Sequence, residues 1–328
     1  MRRCLVVVHP GSLGDVLLAI PAIRRLGQRY SGREIVLMAR EPVGRLLVEY
    51  GVVDARMLLD GADGVGLFSR CVPIPPKLET WLNCCDFAVA WMTDNEGALR
   101  ATFEGFGVVQ VRIQSPFSPA LCSKHQSHRF LETVGEPADV GSSGKLIQVP
   151  PRFIEEGAAS LERIGVPQGR PVVFVHPGSG SMHKCLKPET MAGIIQRLDQ
   201  MGLLSVVIEG PADQNVVERV LTVSTRRPPI LRNLDLTTLA GVLVQAKCFL
   251  GHDSGMTHLA ALLGIRTVAV FGPTDPDRWG PLGDHVAIVR GPSCHCPSWD
   301  DVRECREKPC LAVSADQIFT SLEASGLT

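Results

Sequence analysis

The sequence runs to 328 residues, of which 45% are hydrophobic and 20% charged, with a formal net charge of -1. That length exceeds what one hydrophobic core usually serves and predicts two domains of roughly 150 residues each. The composition excludes extensive disorder, and the near-neutral balance gives no electrostatic support for wholesale nucleic-acid binding.

At the N-terminus, Arg2 and Arg3 precede an apolar run that His9-Pro10-Gly11-Ser12 breaks too early for a signal peptide. No other stretch offers the roughly 20 apolar residues of a membrane span. A cytoplasmic protein is expected, with peripheral contact at the inner membrane face left open. The 11 cysteines are an odd number with no secretory signal, so reduced thiols rather than a disulfide framework are expected.

Val6-Val7-Val8-His9-Pro10-Gly11-Ser12 returns as Val173-Phe174-Val175-His176-Pro177-Gly178-Ser179. Each copy is a continuous apolar run, as a strand buried on both faces requires, followed by a turn and an amphipathic helix. The same βα unit therefore opens twice. In the first half, helices are predicted over 15–28 and 42–50 and strands over 35–39, 87–91 and 108–113. A helix over 153–164 and a Pro/Gly-rich loop over 165–171 mark the boundary, dividing the chain into 1–165, with a linker helix at about 151–165, and 166–328. The second half continues with helices over 188–201, 236–246 and 255–263 and strands over 204–208, 248–250 and 267–271. A final short helix follows the capping-box pattern Ser314-Ala315-Asp316-Gln317. Such alternation means α/β, two Rossmann-like domains with parallel sheets. Open α/β sheets bind ligands outside the carboxyl ends of their strands, so a deep cleft between two facing domains is the expected active site.

Four turns at strand ends carry candidate chemistry. Gly11-Ser12-Leu13-Gly14-Asp15 enters a helix, and Asp15 reads either as a cap for backbone N–H groups or as a general base. His176-Pro177-Gly178-Ser179-Gly180-Ser181, followed by Lys184 and Lys187, suits a diphosphate, because hydroxyls, N–H groups and an ammonium together offset its charge without a metal. It is not a P-loop, since G-x-x-x-x-G-K-[ST] is absent. In Gly251-His252-Asp253-Ser254-Gly255-Met256-Thr257-His258, Asp253 suits sugar hydroxyls and Ser254 with Gly255 suits phosphate at a helix N-terminus. The structural alternative makes Asp253 a cap and His258 a partly buried core residue. Phe271-Gly272-Pro273-Thr274-Asp275-Pro276, then Trp279-Gly280-Pro281, is a rigid turn in which Thr274 either donates to phosphate or braces its neighbour.

In this order, Gly14-Asp15 with Pro21-Ala22, the His-Pro-Gly-Ser-Gly-Ser…Lys loop, Asp253-Ser254-Gly255…His258-Leu259-Ala260-Ala261 and the Phe271–Pro281 turn resemble glycosyltransferase family 9, the ADP-heptose:lipopolysaccharide heptosyltransferases. The resemblance covers nearly the whole chain. It implies a GT-B fold and inverting, metal-independent transfer of heptose from ADP-L-glycero-D-manno-heptose to the lipopolysaccharide inner core, a lipid-linked oligosaccharide acceptor. By the same resemblance the N-terminal domain binds acceptor and the C-terminal domain nucleotide-sugar, and Asp15 is the base. Ser179, Gly180, Ser181 and Lys184 would hold the leaving group, Asp253 the heptose, and Ser254, Gly255 and His258 would flank the phosphates. Leu239 and Ala240 fall where the family packs the donor base. Gly14 and Arg24 are acceptor-side candidates. Arg24, Arg25, Arg29 and Arg33 would meet acidic sugars or lipid phosphates, or simply complement a helix C-terminus.

The family's K-x-W-P is replaced by Lys184-Cys185-Leu186-Lys187, so either the start of the next helix is altered or Lys187 shares the phosphate role. Cys294, Cys296, Cys305 and Cys310 resemble a Cys-rich segment of many family members. They are candidates for a structural zinc or iron site, although C-x-C is tighter than the usual C-x2-C. Catalysis as implied needs no cofactor. A protein (autotransporter) heptosyltransferase, an epimerase on the same fold and a non-catalytic nucleotide-sugar binding protein are the alternatives.

Overall fold

The computed structural model describes residues 3–69, 72–117, 124–137 and 145–324. The chain divides into two compact units, Met1–Gly141 and Ser142–Thr328.

The first unit is built on five parallel strands, β1 (Cys4–His9), β2 (Glu34–Ala39), β3 (Ala55–Leu58), β4 (Cys85–Ala90) and β5 (Gln110–Ile113), in the order β3-β2-β1-β4-β5. Every residue of β1 is buried, as its unbroken apolar run anticipates for a central strand covered on both faces. The helix expected over 15–28 is two, Leu13–Leu18 and Ile20–Arg29. Pro21, whose nitrogen carries no hydrogen to donate, restarts the helix in its first turn.

The second unit carries six parallel strands, β6 (Val172–His176), β7 (Leu204–Glu209), β8 (Ile230–Arg232), β9 (Ala246–His252), β10 (Thr267–Phe271) and β11 (Val286–Arg290), ordered β11-β10-β9-β6-β7-β8. Within each unit the order reverses once, between β1 and β4 and between β6 and β9. Carboxyl ends at such reversals are where open α/β sheets bind ligands. The expected capping box opens the last helix: Ser314 N–H donates to Gln317 Oε1 (2.8 Å) and Gln317 N–H to Ser314 Oγ (3.2 Å).

The boundary falls earlier than 165. Helix Pro151–Arg163 packs within the second unit, against helix Leu236–Leu243. Glycines make the approach that close: a Cβ on Gly157 would stand 2.4 Å from the Gly241 carbonyl carbon, and one on Gly241 would stand 1.8 Å from the Phe153 oxygen. An amphipathic helix between two domains reads the same whichever core it joins, which is why pattern alone placed it with the first. Among the described residues no helix is long and apolar enough to cross a membrane.

Candidate active site

In the first unit the site begins where β1 ends. His9 is buried, and its Nδ1 accepts the Gly11 N–H at 3.1 Å. Its ring lies against Trp91 and Phe130, with centroids 5.7 and 5.4 Å away. Burial in this apolar setting pushes the imidazole down to about 3, so it is neutral, with its remaining hydrogen on Nε2. Gly11 must be glycine, because a Cβ there would meet Asp15 Cβ at 2.6 Å and His9 Cε1 at 2.7 Å. Asp15 Oδ2 accepts the Ser12 N–H at 2.8 Å, so the capping role is real, and the half-buried carboxylate is held at one position past the carboxyl end of β1.

Gly14 lies in the same turn, half-buried, whereas Arg24 and Arg25 are exposed on helix Ile20–Arg29. Arg29 pairs with Glu136, and Arg33 with Asp86. Those two arginines are committed to structure. Farther along the first unit, the buried Arg129 of helix Gln126–Thr133 donates to the Pro116 oxygen at 2.8 Å.

The second unit brings three strand ends together. After β6, Ser179 Oγ donates to the Asp253 carbonyl oxygen at 2.6 Å, and Lys184 Nζ donates to Asp253 Oδ2 at 2.7 Å. Asp253 itself follows β9 and is buried, so the ammonium neutralises a carboxylate largely withdrawn from water. Ser181 Oγ accepts the His183 N–H at 3.3 Å, and Gly180 leaves open space where a side chain would stand. Ser254 caps helix Gly255–Leu262, its Oγ accepting the Thr257 N–H at 3.4 Å. His258 is buried one turn into that helix, and Leu239 is buried in helix Leu236–Leu243. Thr274 Oγ1 is buried with no hydrogen-bond partner among the described residues.

The altered K-x-W-P pattern has a local outcome. Cys185 and Leu186 turn inward, with Leu186 N–H donating to His252 Nε2 at 2.9 Å. Lys187 sits exposed at the cap of helix Pro188–Gln200, where Pro188 opens the first turn. Lys184 therefore meets Asp253, and Lys187 does not.

Beneath these loops lies a buried array that the sequence reading did not assign. His176 Nε2 and Asp213 Oδ2 are 2.9 Å apart, Asp213 Oδ2 accepts the Gly210 N–H at 3.0 Å, and His176 Nδ1 lies 3.4 Å from Ser254 Oγ. Burial opposes ionisation of Asp213, yet hydrogen bonding and charge from His176, with the Gly210 N–H, hold its carboxyl below the ordinary range. The array links the loops after β6, β7 and β9. His252 is also buried and is lowered to about 4, chiefly by desolvation. A signal existed: β1, β6 and β9 each end in a histidine that is buried.

Residues 129–310, more than half of the chain, match the sequence profile of glycosyltransferase family 9 (heptosyltransferase). The chain belongs to this family. A lipopolysaccharide heptosyltransferase 3 of Escherichia coli is 25% identical over 141 residues, 42% of this chain and 41% of that protein. Its counterpart in strain K12 is 21% identical over 290 residues, 83% of each chain. A family 9 glycosyltransferase structure from Veillonella parvula superimposes with a TM-score of 0.82 at 19% identity, covering 99% of this chain and 97% of that one. The E. coli ADP-heptose lps heptosyltransferase II superimposes with 0.74 at 19% identity, covering 99% and 98%. These likenesses establish a GT-B fold, and the protein is a glycosyltransferase.

The Cys-rich segment was a metal candidate because four thiolates suffice for a tetrahedral site. A dodecameric iron-containing heptosyltransferase, TibC, shares the fold, with a TM-score of 0.61 at 13% identity over 99% of this chain and 76% of that one. Here Cys296 is pushed up to about 11, first by hydrogen bonding to Cys294 and then by burial, with Cys305 adding to the rise. Cys310 is also pushed up to about 11, by burial and then by the Cys294 and Cys305 charges. Cys296 and Cys310 therefore each lie beside both Cys294 and Cys305. Among the described residues no group of three or more His, Cys, Asp or Glu side chains is set to hold a metal ion. The candidate ligand set of Cys294, Cys296, Cys305 and Cys310 is thus not arranged as a metal shell among the described residues.

Proposed function

We propose that this glycosyltransferase moves a heptose from ADP-L-glycero-D-manno-heptose to a hydroxyl of the lipopolysaccharide inner core, with inversion and without a catalytic metal. The observation that carries the donor side is the Lys184–Asp253–Ser179 network at the β6/β9 reversal, which joins a cation, a buried carboxylate and a helix N-terminus in one place. Donor identity is supported by the E. coli relative whose structure is described as an ADP-heptose enzyme.

In this reading Asp15 takes the proton of the acceptor hydroxyl as its oxygen bonds to the anomeric carbon. The bond from that carbon to the diphosphate oxygen breaks on the opposite face, and ADP departs with the electron pair. Lys184, Ser181 and the Ser254–Gly255 N-terminus stabilise the growing negative charge, so positive charge is supplied by the chain itself. Lys184 turns from Asp253 toward phosphate, which frees the carboxylate for heptose hydroxyls. Leu239 packs the adenine, and His258 supports its helix from within. Gly14 and Arg24 belong to the acceptor side. The first unit thus binds acceptor and the second nucleotide-sugar, at the cytoplasmic face of the inner membrane with peripheral contact.

Transfer by wild type and Asp15→Ala, with ADP-heptose and a panel of other nucleotide sugars and heptose-deficient lipopolysaccharide as acceptor, tests this. A loss of about 10²–10⁴ in rate with donor binding intact is expected. Transfer from another donor would keep the fold and replace the substrate. Binding without transfer to any lipopolysaccharide would overturn the acceptor assignment in favour of a protein acceptor or a non-catalytic role.

A further inference from the structure

The Cys-rich segment holds a short helix, Trp299–Glu304, bracketed by Cys294 and Cys296 before it and Cys305 and Cys310 after it. Ser298 caps the helix through the Asp301 N–H, and buried Val302 anchors it. Its first residue, Trp299, lies with the Lys184 ammonium 5.3 Å from the ring centroid, while the same ammonium stands 2.7 Å from Asp253 Oδ2. Desolvation lowers the His183 imidazole, and the positive charges of Lys308, beyond this helix, and of Arg303, on it, lower it further. The segment therefore borders the loop that carries the Lys184–Asp253 pair.

Trp299 remains 46% exposed, although an indole gains more from burial than almost any other side chain. Met182, two residues before Lys184, is 55% exposed as well. A half-exposed aromatic ring joined to a buried carboxylate through one lysine matches the two sides of a sugar ring, hydroxyls at the edge and C–H groups on the face. Lys184 already has a carboxylate partner, so the cation–π contact alone does not account for the exposed remainder of the ring.

We propose that Trp299 contacts the donor's sugar, stacking on its C–H face while Asp253 holds its hydroxyls. The Cys-rich segment is then a wall of the donor site, and the clustered thiols serve to fix that wall. This rests on the assignment of the Lys184–Asp253 loops as the donor site.

Calorimetric titration of the full chain with ADP and, separately, with ADP-heptose tests it in wild type, Trp299→Ala and Trp299→Phe. Trp299→Ala should weaken ADP-heptose roughly 3- to 30-fold, the worth of one aromatic contact, and leave ADP unchanged within about twofold. Trp299→Phe should keep most of the affinity. In wild type, ADP-heptose should change tryptophan fluorescence more than ADP does, and Trp299→Phe should remove that difference. An unchanged thermal midpoint in both variants shows that the fold is intact. Equal losses for ADP and ADP-heptose would overturn the sugar contact and mean that Trp299 acts through Lys184 on the phosphates, and no loss for either would overturn it outright. Wild type that binds neither ligand would instead sink the donor-site reading, before any variant is compared.

Discussion

The loops after β1 and β6 share the run His-Pro-Gly-Ser behind a valine-rich strand, yet the two histidines do different work. His9 is surrounded by Trp91 and Phe130 and stays neutral, serving as an apolar prop whose one acceptor nitrogen fixes the Gly11 N–H beneath Asp15. His176 faces the Asp213 carboxylate on one side and the Ser254 hydroxyl on the other, tying three loops of the second unit together. Local sequence sets the strand end and the turn. What lies across the sheet decides whether the ring is a spacer or part of a charged network.

Removing the charge partner should break the second case hardest. Asp213→Ala leaves His176 and the Gly210 N–H without their acceptor in a buried place, and chemical denaturation should show a loss of about 3 kcal/mol or more. Among the described residues His9 faces no such carboxylate, so its loop has no counterpart to this loss. A loss below about 1 kcal/mol for Asp213→Ala would mean that the array is not a tether.

The glycines sharpen the contrast. A Cβ on Gly178 would fall 1.9 Å from Asp213 Oδ1, whereas one on Gly11 would fall 2.6 Å from Asp15 Cβ. Each Gly→Ala change should destabilise by about 1–3 kcal/mol through overpacking. The functional outcomes should separate. Gly178→Ala displaces Asp213 and should weaken ADP binding, while Gly11→Ala displaces Asp15 and should lower transfer with ADP binding retained.

Acid brings out what burial does to both units. His9 and His252 fold neutral, lowered by desolvation to about 3 and about 4, whereas in the unfolded chain a histidine protonates near 6.5. Below pH 6.5 the unfolded chain therefore binds more protons, so stability is full above that value and falls as the pH drops toward 4. Each ring should contribute up to about 1.4 kcal/mol per pH unit over that window, and His9→Gln should remove one share of the slope. Asp213, depressed in the folded chain, adds its own loss only at still lower pH. A flat profile between pH 6.5 and 4.5 would contradict the neutral assignment of both rings.

The strands and the repeated βα opening were legible because doubly covered strands must be continuously apolar, and β1, β6 and β10 are. The loops around Asp15, Lys184 and Asp253 were legible for a related reason: their glycines and caps are local requirements of a strand-to-helix turn. Asp213 was not, since it lies 37 residues from its histidine and nothing in its own neighbourhood marks it as a partner. The edge strand Ala55–Leu58 escaped for want of a continuous apolar run, being only partly buried. Trp299 escaped because its neighbour Lys184 is brought to it by tertiary packing alone.

The smallest expected effect concerns the two lysines that the sequence left interchangeable. Lys184 is mostly buried and sits at 2.7 Å from a buried carboxylate, so Lys184→Ala both strands Asp253 and removes the proposed phosphate contact. ADP binding should weaken by roughly 10-fold or more, in keeping with the loss of a charge-assisted bond. Lys187 is exposed at a helix cap, where its charge is screened by water and salt. Lys187→Ala should change ADP affinity less than about threefold, with most of that change vanishing at high salt. If the two variants lose affinity equally, Lys187 must swing to the phosphates when the donor arrives, and the departure from K-x-W-P would then be a second phosphate cation rather than a changed start to the helix.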